Sequence, residues 1–231
     1  MNEPQPLQIG LTQQHTCSYL SDRQERVAVA MSPEFHNESG YQVLLANGFR
    51  RSGDTIYTPH CDACSACQSI RIPIADFQPS RSQKRLLNQS HQITMVMKTK
   101  LDDGWFELYS RYIEARHRGG TMYPPNRETF QTFANCQWMQ THYLHLYQKN
   151  QLIAVAVTDV TPTAASAFYT FFDPDSVLSL GTLAVLQQVK WCQQMNKDWL
   201  YLGYQIDECP AMSYKVRFHR HQRLVNQRWQ G

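Results

Sequence analysis

From residue 102 the spacing of apolar positions divides the chain. Phe106, Tyr109 and Ile113 fall on one stripe of a helix that Asp102 or Asp103 can cap, that runs to about His117 and that Gly119-Gly120 ends. A second helix follows Pro124-Pro125-Asn126. From Tyr143 the period changes. Tyr143–Tyr147, Ile153–Val160 and Ala165–Phe172 are apolar, aromatic runs joined by short polar turns, Gln148–Gln151 and Thr161–Thr163, and they predict three strands. An amphipathic helix from Thr182 to about Met195 and an aromatic strand, Trp199–Tyr204, come next.

The earlier segments are shorter. Residues 1–15 are polar and proline-bearing and predict an extended lead-in. Ser32-Pro33-Glu34 supplies an N-cap, an N1 proline and a first-turn acid for a helix that buries Tyr41, Leu44 and Leu45 and ends near Gly48. Arg50-Arg51-Ser52-Gly53 reads as a turn, followed by a short strand around Tyr57 and a cysteine-rich loop over residues 59–67. Ser69–Ile74 predicts a strand and Arg81–Leu87 the start of a basic helix. From about residue 92 the order is strand, two helices, three strands, helix, strand. That order favours an α/β fold with a central sheet covered by helices. We expect a small cysteine-bearing module over residues 1–90 and the sheet domain over 91–231.

Composition narrows the class. The 231 residues are 42% hydrophobic, enough for a sizeable core, and the net charge of +3 leaves any nucleic-acid contact to local patches. The opening Met-Asn-Glu-Pro-Gln-Pro has no basic region followed by an apolar stretch, so no signal peptide is expected, and no run approaches membrane-spanning length. With seven cysteines and no secretion signal, reduced thiols or a metal site are expected before disulfides, and the protein reads as cytoplasmic.

Four features carry chemistry. The strand Phe168–Phe172, the loop Asp173-Pro174-Asp175 and a helix entered at Leu180-Gly181-Thr182 place unpaired backbone N–H groups at a helix N-terminus, which suits a phosphate or an acyl oxygen. Cys61, Cys64 and Cys67 recur at two-residue gaps, and Cys17 could add a fourth thiolate for zinc or an iron–sulfur cluster; the alternative is a thiol-rich loop that holds the N-terminal segment. Arg81, Lys84 and Arg85 put three cations in five residues, which suits phosphate contact along an RNA end as well as a solvated helix face. The Arg116-His117-Arg118 run reads first as a helix C-terminus and second as a site for an acidic group. Tyr169, Asp159 and Tyr204 lie in or beside the strands. No nucleotide-binding glycine loop is present, and spacing alone reveals no Ser-His-Asp or Cys-His pattern.

Several motifs occur in order: Thr16-Cys17-Ser-Tyr19-Leu20, Gly48-Phe49-Arg50-Arg51-Ser52-Gly53, Tyr57-x-Pro59-x-Cys61-x-x-Cys64-x-x-Cys67, Phe77-x-Pro79-Ser80-Arg81-Ser82-Gln83-Lys84-Arg85, Tyr169-Thr-Phe-Phe-Asp173-Pro174-Asp175, Ser179-Leu180-Gly181-Thr182 and Tyr214-Lys215-x-Arg217-Phe218. Together they resemble the aminoacyl-tRNA–protein transferases of the N-degron pathway over almost the whole chain. The compact length resembles the bacterial branch, the aspartate/glutamate leucyltransferases. The resemblance implies a C-terminal domain like the GCN5-related acetyltransferases (GNAT), a mixed sheet flanked by helices. It implies leucyl-tRNA as donor, a protein with N-terminal Asp or Glu as acceptor, and no membrane. The eukaryotic arginyl relatives have a second cysteine soon after the first, where this chain has Tyr19-Leu20. Here Thr121 also separates Gly120 from Met122, a pair usually adjacent in the family.

On that reading no cofactor is required, because an aminoacyl ester is already activated. The attacking α-amine has an ordinary pKa of ~7.7–8.0, so much of it is neutral near pH 7. Holding amine and ester together can lower the barrier by roughly 7–11 kcal/mol. Oxyanion donors are expected on the strand ending Tyr169–Phe172, and the terminal tRNA phosphates at Leu180, Gly181 and Thr182. A cationic pocket for the acceptor carboxylate is expected from Arg81, Arg85 and Lys215. Lys84, Arg217 and Tyr204 are further substrate contacts. Asp159 and Tyr169 are the candidates for proton handling. Two other classes fit parts of the pattern. A coenzyme A-dependent acetyltransferase does not account for the cysteine loop and basic helix, and an RNA-binding module with a cysteine-bound metal does not need the acyl-transfer sheet.

Overall fold

The computed structural model describes residues 6–231. Chain order is β1 (Ile9–Leu11), β2 (His15–Thr16), β3 (Gln24–Glu25), β4 (Val27–Ala30), α1 (Glu38–Ala46), β5 (Arg50–Ser52), β6 (Thr55–Pro59), β7 (Gln68–Pro73), α2 (Arg81–Gln89), β8 (Ile93–Lys98), α3 (Trp105–Arg116), α4 (Arg127–Ala134), β9 (Thr141–Gln148), β10 (Gln151–Val160), β11 (Ala164–Phe172), α5 (Leu180–Gln194), β12 (Trp199–Gln205), β13 (Gln222–Val225) and β14 (Arg228–Gln230). An eight-stranded mixed sheet runs β14-β13-β7-β12-β11-β10-β9-β8, beside a four-stranded sheet, β1-β4-β6-β5. The expected mixed sheet with helices on it is therefore present. The strand β7, on the N-terminal side of residue 90, sits inside the large sheet between β12 and β13, so residues 1–90 and 91–231 share that sheet.

The long apolar run of β10 follows from burial on both faces. Ala154 and Ala156 pack with Leu183 and Ala184 of α5. The alternate residues, Val155 and Val157, pack with Trp105 and Tyr109 of α3 and Phe130 of α4. A strand covered on both sides loses the polar alternation of a half-exposed one.

Two irregularities open the sheet at its centre. Val157 pairs with Tyr169 but Thr158 pairs with Ala167, so Phe168 is an extra residue and β11 carries a bulge there. The parallel strands β11 and β12 pair only from Ala164–Trp199 to Ser166–Tyr201, and beyond that point they separate. The antiparallel β12–β7 pairing also shifts register between Tyr201 and Tyr204, where Gly203 takes φ 89°. A cavity opens in the gap between β11 and β12.

Three local expectations change. Arg50–Ser52 is strand β5, not a turn; the turn is Gly53-Asp54. Ser32 precedes a single 3-10 turn, Pro33–Phe35, and α1 is capped instead by Asn37, whose side chain accepts from the Gly40 N–H at 2.9 Å. The Ser32 hydroxyl accepts the Gln8 N–H from the N-terminal segment, which removes it from capping. Gly104 stands at the N-cap of α3, and the Asp102 carboxylate is held by Lys98 Nζ at 2.6 and 2.8 Å. The lead-in over 1–15 includes residues 1–5, which lie outside the described residues; β1 already begins at Ile9.

Candidate active site

A cavity of about 730 Å³ occupies the gap between β11 and β12. Four consecutive residues of β11, Ala167 to Thr170, line it, because the bulge at Phe168 breaks the usual alternation of faces. Leu202, Gly203 and Tyr204 of β12 form the opposite wall. The Asp173–Ser179 loop and the first turn of α5 close one end. Arg111 holds that loop in place, reaching Asp173 at 2.7 Å and Asp175 at 2.8 Å.

The start of α5 leaves backbone donors available. Ser179 is the N-cap, but its hydroxyl faces the Thr182 hydroxyl at 3.1 Å and makes no cap to the backbone. The Leu180 N–H is taken by the Leu178 carbonyl at 2.8 Å and the Leu180 side chain is buried in the core. Leu180 is therefore a packing residue, and Gly181 and Thr182 are the first-turn positions that line the cavity beside it. A side chain at Gly181 would bring its Cβ to 3.2 Å from the Phe172 ring, so close helix–strand packing favours glycine there.

The charges lining the cavity are of one sign. Arg50, Arg51, Arg116 and Lys215 line it, with His117, and no aspartate or glutamate stands among the described residues that do. Arg51 is internally neutralised. Its Nε and Nη2 donate to Asp159 Oδ1 at 3.0 and 2.5 Å, and both side chains are fully buried. Tyr41 donates to the other carboxylate oxygen at 3.3 Å. Asp159 is thereby engaged on both oxygens away from the cavity surface. It cannot serve as the expected proton carrier; it anchors Arg51 under the Phe168 ring, 4.3 Å from the guanidinium.

Tyr169 does line the cavity. Burial, reinforced by the neighbouring Tyr112 and Tyr109, raises its phenol far above the ordinary value. A phenol held protonated in this way donates a hydrogen bond and is no base. Tyr204 lines the cavity with its ring, while its hydroxyl donates to the Gly48 carbonyl at 2.9 Å. Lys215 is buried at the β12 wall, where burial and the nearby Arg50 push its ammonium down to about 8. Arg81, Lys84 and Arg85 are exposed on α2 and do not join Lys215 in the cavity. Instead α2, through Ser82, Gln83, Leu86 and Gln89, borders a second cavity of about 320 Å³ with Arg217. That cavity shares Ser179, Thr182 and Tyr214 with the large one.

Cys17, Cys61, Cys64 and Cys67 meet around a third cavity of about 510 Å³. The wall of Tyr19, Tyr57 and Tyr204 is common to this cavity and the large one. Burial, together with Cys61, Cys17 and Cys64, pushes the Cys67 thiol up to about 12. Cys64 moves the other way, since the Ala66 N–H and the Arg23 guanidinium favour its thiolate. Among the described residues no three His, Cys, Asp or Glu side chains are arranged to hold a metal ion. The expected metal ligands thus form a thiol cluster whose placement does not fit a metal. Arg50, which the sequence places in a turn, stands on β5 and lines the cavity; the pair of adjacent arginines before the Gly53-Asp54 turn is its local signal.

A profile described as "Arginine-tRNA-protein transferase, N terminus" matches residues 15–85, and its C-terminal counterpart matches residues 104–225. The chain belongs to this family of aminoacyl-tRNA–protein transferases, enzymes that use aminoacyl-tRNA as substrate. A Vibrio parahaemolyticus protein named aspartate/glutamate leucyltransferase is 66% identical over 98% of both chains. Proteins of the same name from Vibrio cholerae and Aeromonas hydrophila are 63% and 46% identical, over 98% and 100% of this chain and 98% of theirs. The crystal structure of the C-terminal domain of a putative lysylphosphatidylglycerol synthetase from Agrobacterium fabrum shares the fold at TM-score 0.50 and 11% identity, over 68% of this chain and 58% of that one. Among the described residues no helix is long and apolar enough to cross a membrane.

Proposed function

We propose that this protein transfers leucine from leucyl-tRNA to the N-terminal α-amine of proteins that begin with Asp or Glu, marking them in the cytoplasm for degradation by the N-degron pathway. The observation that carries the reading is the acid-free cavity between β11 and β12, cationic at one wall and open to a helix N-terminus at the other. Relatives that match over nearly their whole length carry the name aspartate/glutamate leucyltransferase, which supports the reading.

On this reading the sheet is of the GNAT kind, and residues 1–90 supply its strand β7 together with the cysteine-bearing segment. The tRNA end approaches over Arg81, Lys84, Arg85 and Arg217, and its last phosphates lie at the Gly181 and Thr182 N–H groups, where amides and the helix dipole favour an anion. The leucyl side chain lies against apolar lining such as Phe133, Phe172 and Leu202. The neutral amine attacks the ester carbonyl, and Tyr169 donates to the oxyanion that forms. Collapse of that intermediate expels the tRNA 3′ oxygen, which takes up the proton that the amine nitrogen loses as the peptide bond forms. The amine needs little help from a base, since its ordinary pKa lies at ~7.7–8.0.

The test is transfer of labelled leucine from leucyl-tRNA, without ATP, to peptides beginning with Asp, Glu, Lys or Ala. Labelling of the acidic peptides is expected. Preference for the Lys peptide, or for arginyl-tRNA as donor, contradicts the reading.

A further inference from the structure

Two buried cations share one point in the cavity and have no counter-charge among the described residues. Arg50, on β5, is 6% exposed and Lys215, in the 3-10 turn Lys215–Arg217, is 7% exposed. A Cβ placed on Gly203 would stand 3.5 Å from Arg50 Nη2 and 3.6 Å from Lys215 Nζ, so both cationic ends face the same small space. Gly203 has φ 89°, a left-handed value that favours glycine, and the strand is irregular there. The Lys215 ammonium donates to the Tyr204 carbonyl, which leaves donors to spare. Arg50 Nη1 is buried and has no hydrogen-bond partner among the described residues. Arg51, its neighbour in sequence, is matched by Asp159; neither Arg50 nor Lys215 is ion-paired with an acid among the described residues. Removing two like charges from water without a partner is unfavourable, and a bound anion reverses that.

Resting on the function proposed above, we propose that Arg50 and Lys215 bind the side-chain carboxylate of the acceptor's first residue and so set the preference for acidic N-termini. A guanidinium and an ammonium converging on one point suit a carboxylate, which offers two oxygens to separate donors. The pair belongs to the acceptor and not to the tRNA because of its surroundings. Beside Lys215 stand Arg50 and the thiols of Cys209 and Cys67. The second cavity, which joins the α5 N-terminus to Arg217 and α2, does not include either cation. Gly203 leaves the space in which the carboxylate lies. A neutral first residue would leave both cations buried and unpaired, and the site rejects it on that account.

The experiment measures kcat/KM for leucyl transfer to four peptides that differ only in beginning with Asp, Glu, Asn or Gln. In Arg50→Gln and Lys215→Met we expect the Asp value to fall roughly 30-fold or more through KM, the Asp-to-Asn ratio to collapse, and KM for leucyl-tRNA to hold. Lys215→Arg should keep most of the preference. A folded variant that retains the wild-type Asp-to-Asn ratio overturns the assignment. Should the variants not fold, the Lys215 ammonium of the wild type is followed by NMR: the Asp peptide should raise its titration midpoint and the Asn peptide should not, and equal effects overturn the assignment. Failure of the wild type to label any peptide would instead defeat the function itself.

Discussion

Arg51 and Asp159, 108 residues apart in sequence, form a fully buried ion pair beneath the cavity, with Nη2 2.5 Å from Oδ1. Arg51 Nη2 also reaches the Ala134 carbonyl at 2.7 Å, so one guanidinium ties β5, the end of α4 and β10 together. The pair fixes the floor on which Phe168 and the bulge of β11 rest.

Removing one partner leaves the other charged and buried. Asp159→Asn should therefore lower stability by about 3–5 kcal/mol, read as a shift in urea midpoint. The double variant Arg51→Met/Asp159→Leu should be less destabilised than either single change, because no charge remains uncompensated. A single variant as stable as the wild type, yet inactive, would return Asp159 to the reaction.

Much of this arrangement was legible along the chain, and what was not has a physical reason. The three strands from Tyr143, α4 after its Asn126 cap and the helix after Ser179 were readable, because burial on a fixed face imposes a local period. The Arg51–Asp159 pair was not, because ion pairing between distant segments leaves no local pattern. The same holds for Arg50 with Lys215, which meet only across the irregularity at Gly203. Two other misreadings have local causes. Arg50-Arg51-Ser52-Gly53 looks like a turn because its glycine belongs to one, and Ser32 looks like a cap because the Gln8 N–H that occupies it comes from another strand region. The two-residue gaps keep Cys61, Cys64 and Cys67 in one loop, and Cys17 lines the same cavity, but spacing says nothing of whether thiols point at one centre.

The exposed cations of α2 should act on tRNA alone. Replacing Arg81, Lys84 and Arg85 by Gln should weaken leucyl-tRNA binding and reduce the slope of log affinity against log salt by about one for each lost phosphate contact. KM for the acceptor peptide should hold. An unchanged salt slope would place the tRNA elsewhere.

Gly181→Asp should separate donor use from folding. The added Cβ meets Phe172 and the carboxylate repels the tRNA phosphates, yet an acid in the first turn of α5 opposes no helix charge. A raised KM for leucyl-tRNA is expected, with a melting temperature lowered no more than in Gly181→Ala, which makes the same Phe172 contact without the charge. Unchanged kinetics toward leucyl-tRNA would move the phosphates away from this helix.

Lys215 should make both stability and binding depend on alkaline pH. Its ammonium titrates at about 8 in the folded protein, held down by burial and Arg50, with Cys209 and Cys67 opposing. The ordinary value in an unfolded chain is ~10.4. Between these values the unfolded chain holds the proton and the folded one does not, so stability rises as pH increases through that window, and the burden of the buried charge is present in full below it. An acidic peptide favours the charged form, so its binding near pH 8 to 9 should take up more protons than the matching Asn peptide, measured by calorimetry in buffers of different ionisation enthalpy. Lys215→Met should abolish that difference; its survival would exclude Lys215 as the titrating group.

The most direct measurement is a structure of the protein with an acceptor peptide beginning with Asp and an uncharged-amide analogue of the leucylated tRNA 3′ end. The Asp side-chain carboxylate should lie within hydrogen-bond distance of Arg50 and Lys215 beside Gly203. The terminal phosphates should face the Gly181 and Thr182 N–H groups, and the scissile carbonyl should lie beside Tyr169. A peptide or a tRNA end bound outside the gap between β11 and β12, for example in the cysteine-lined cavity, would contradict this account.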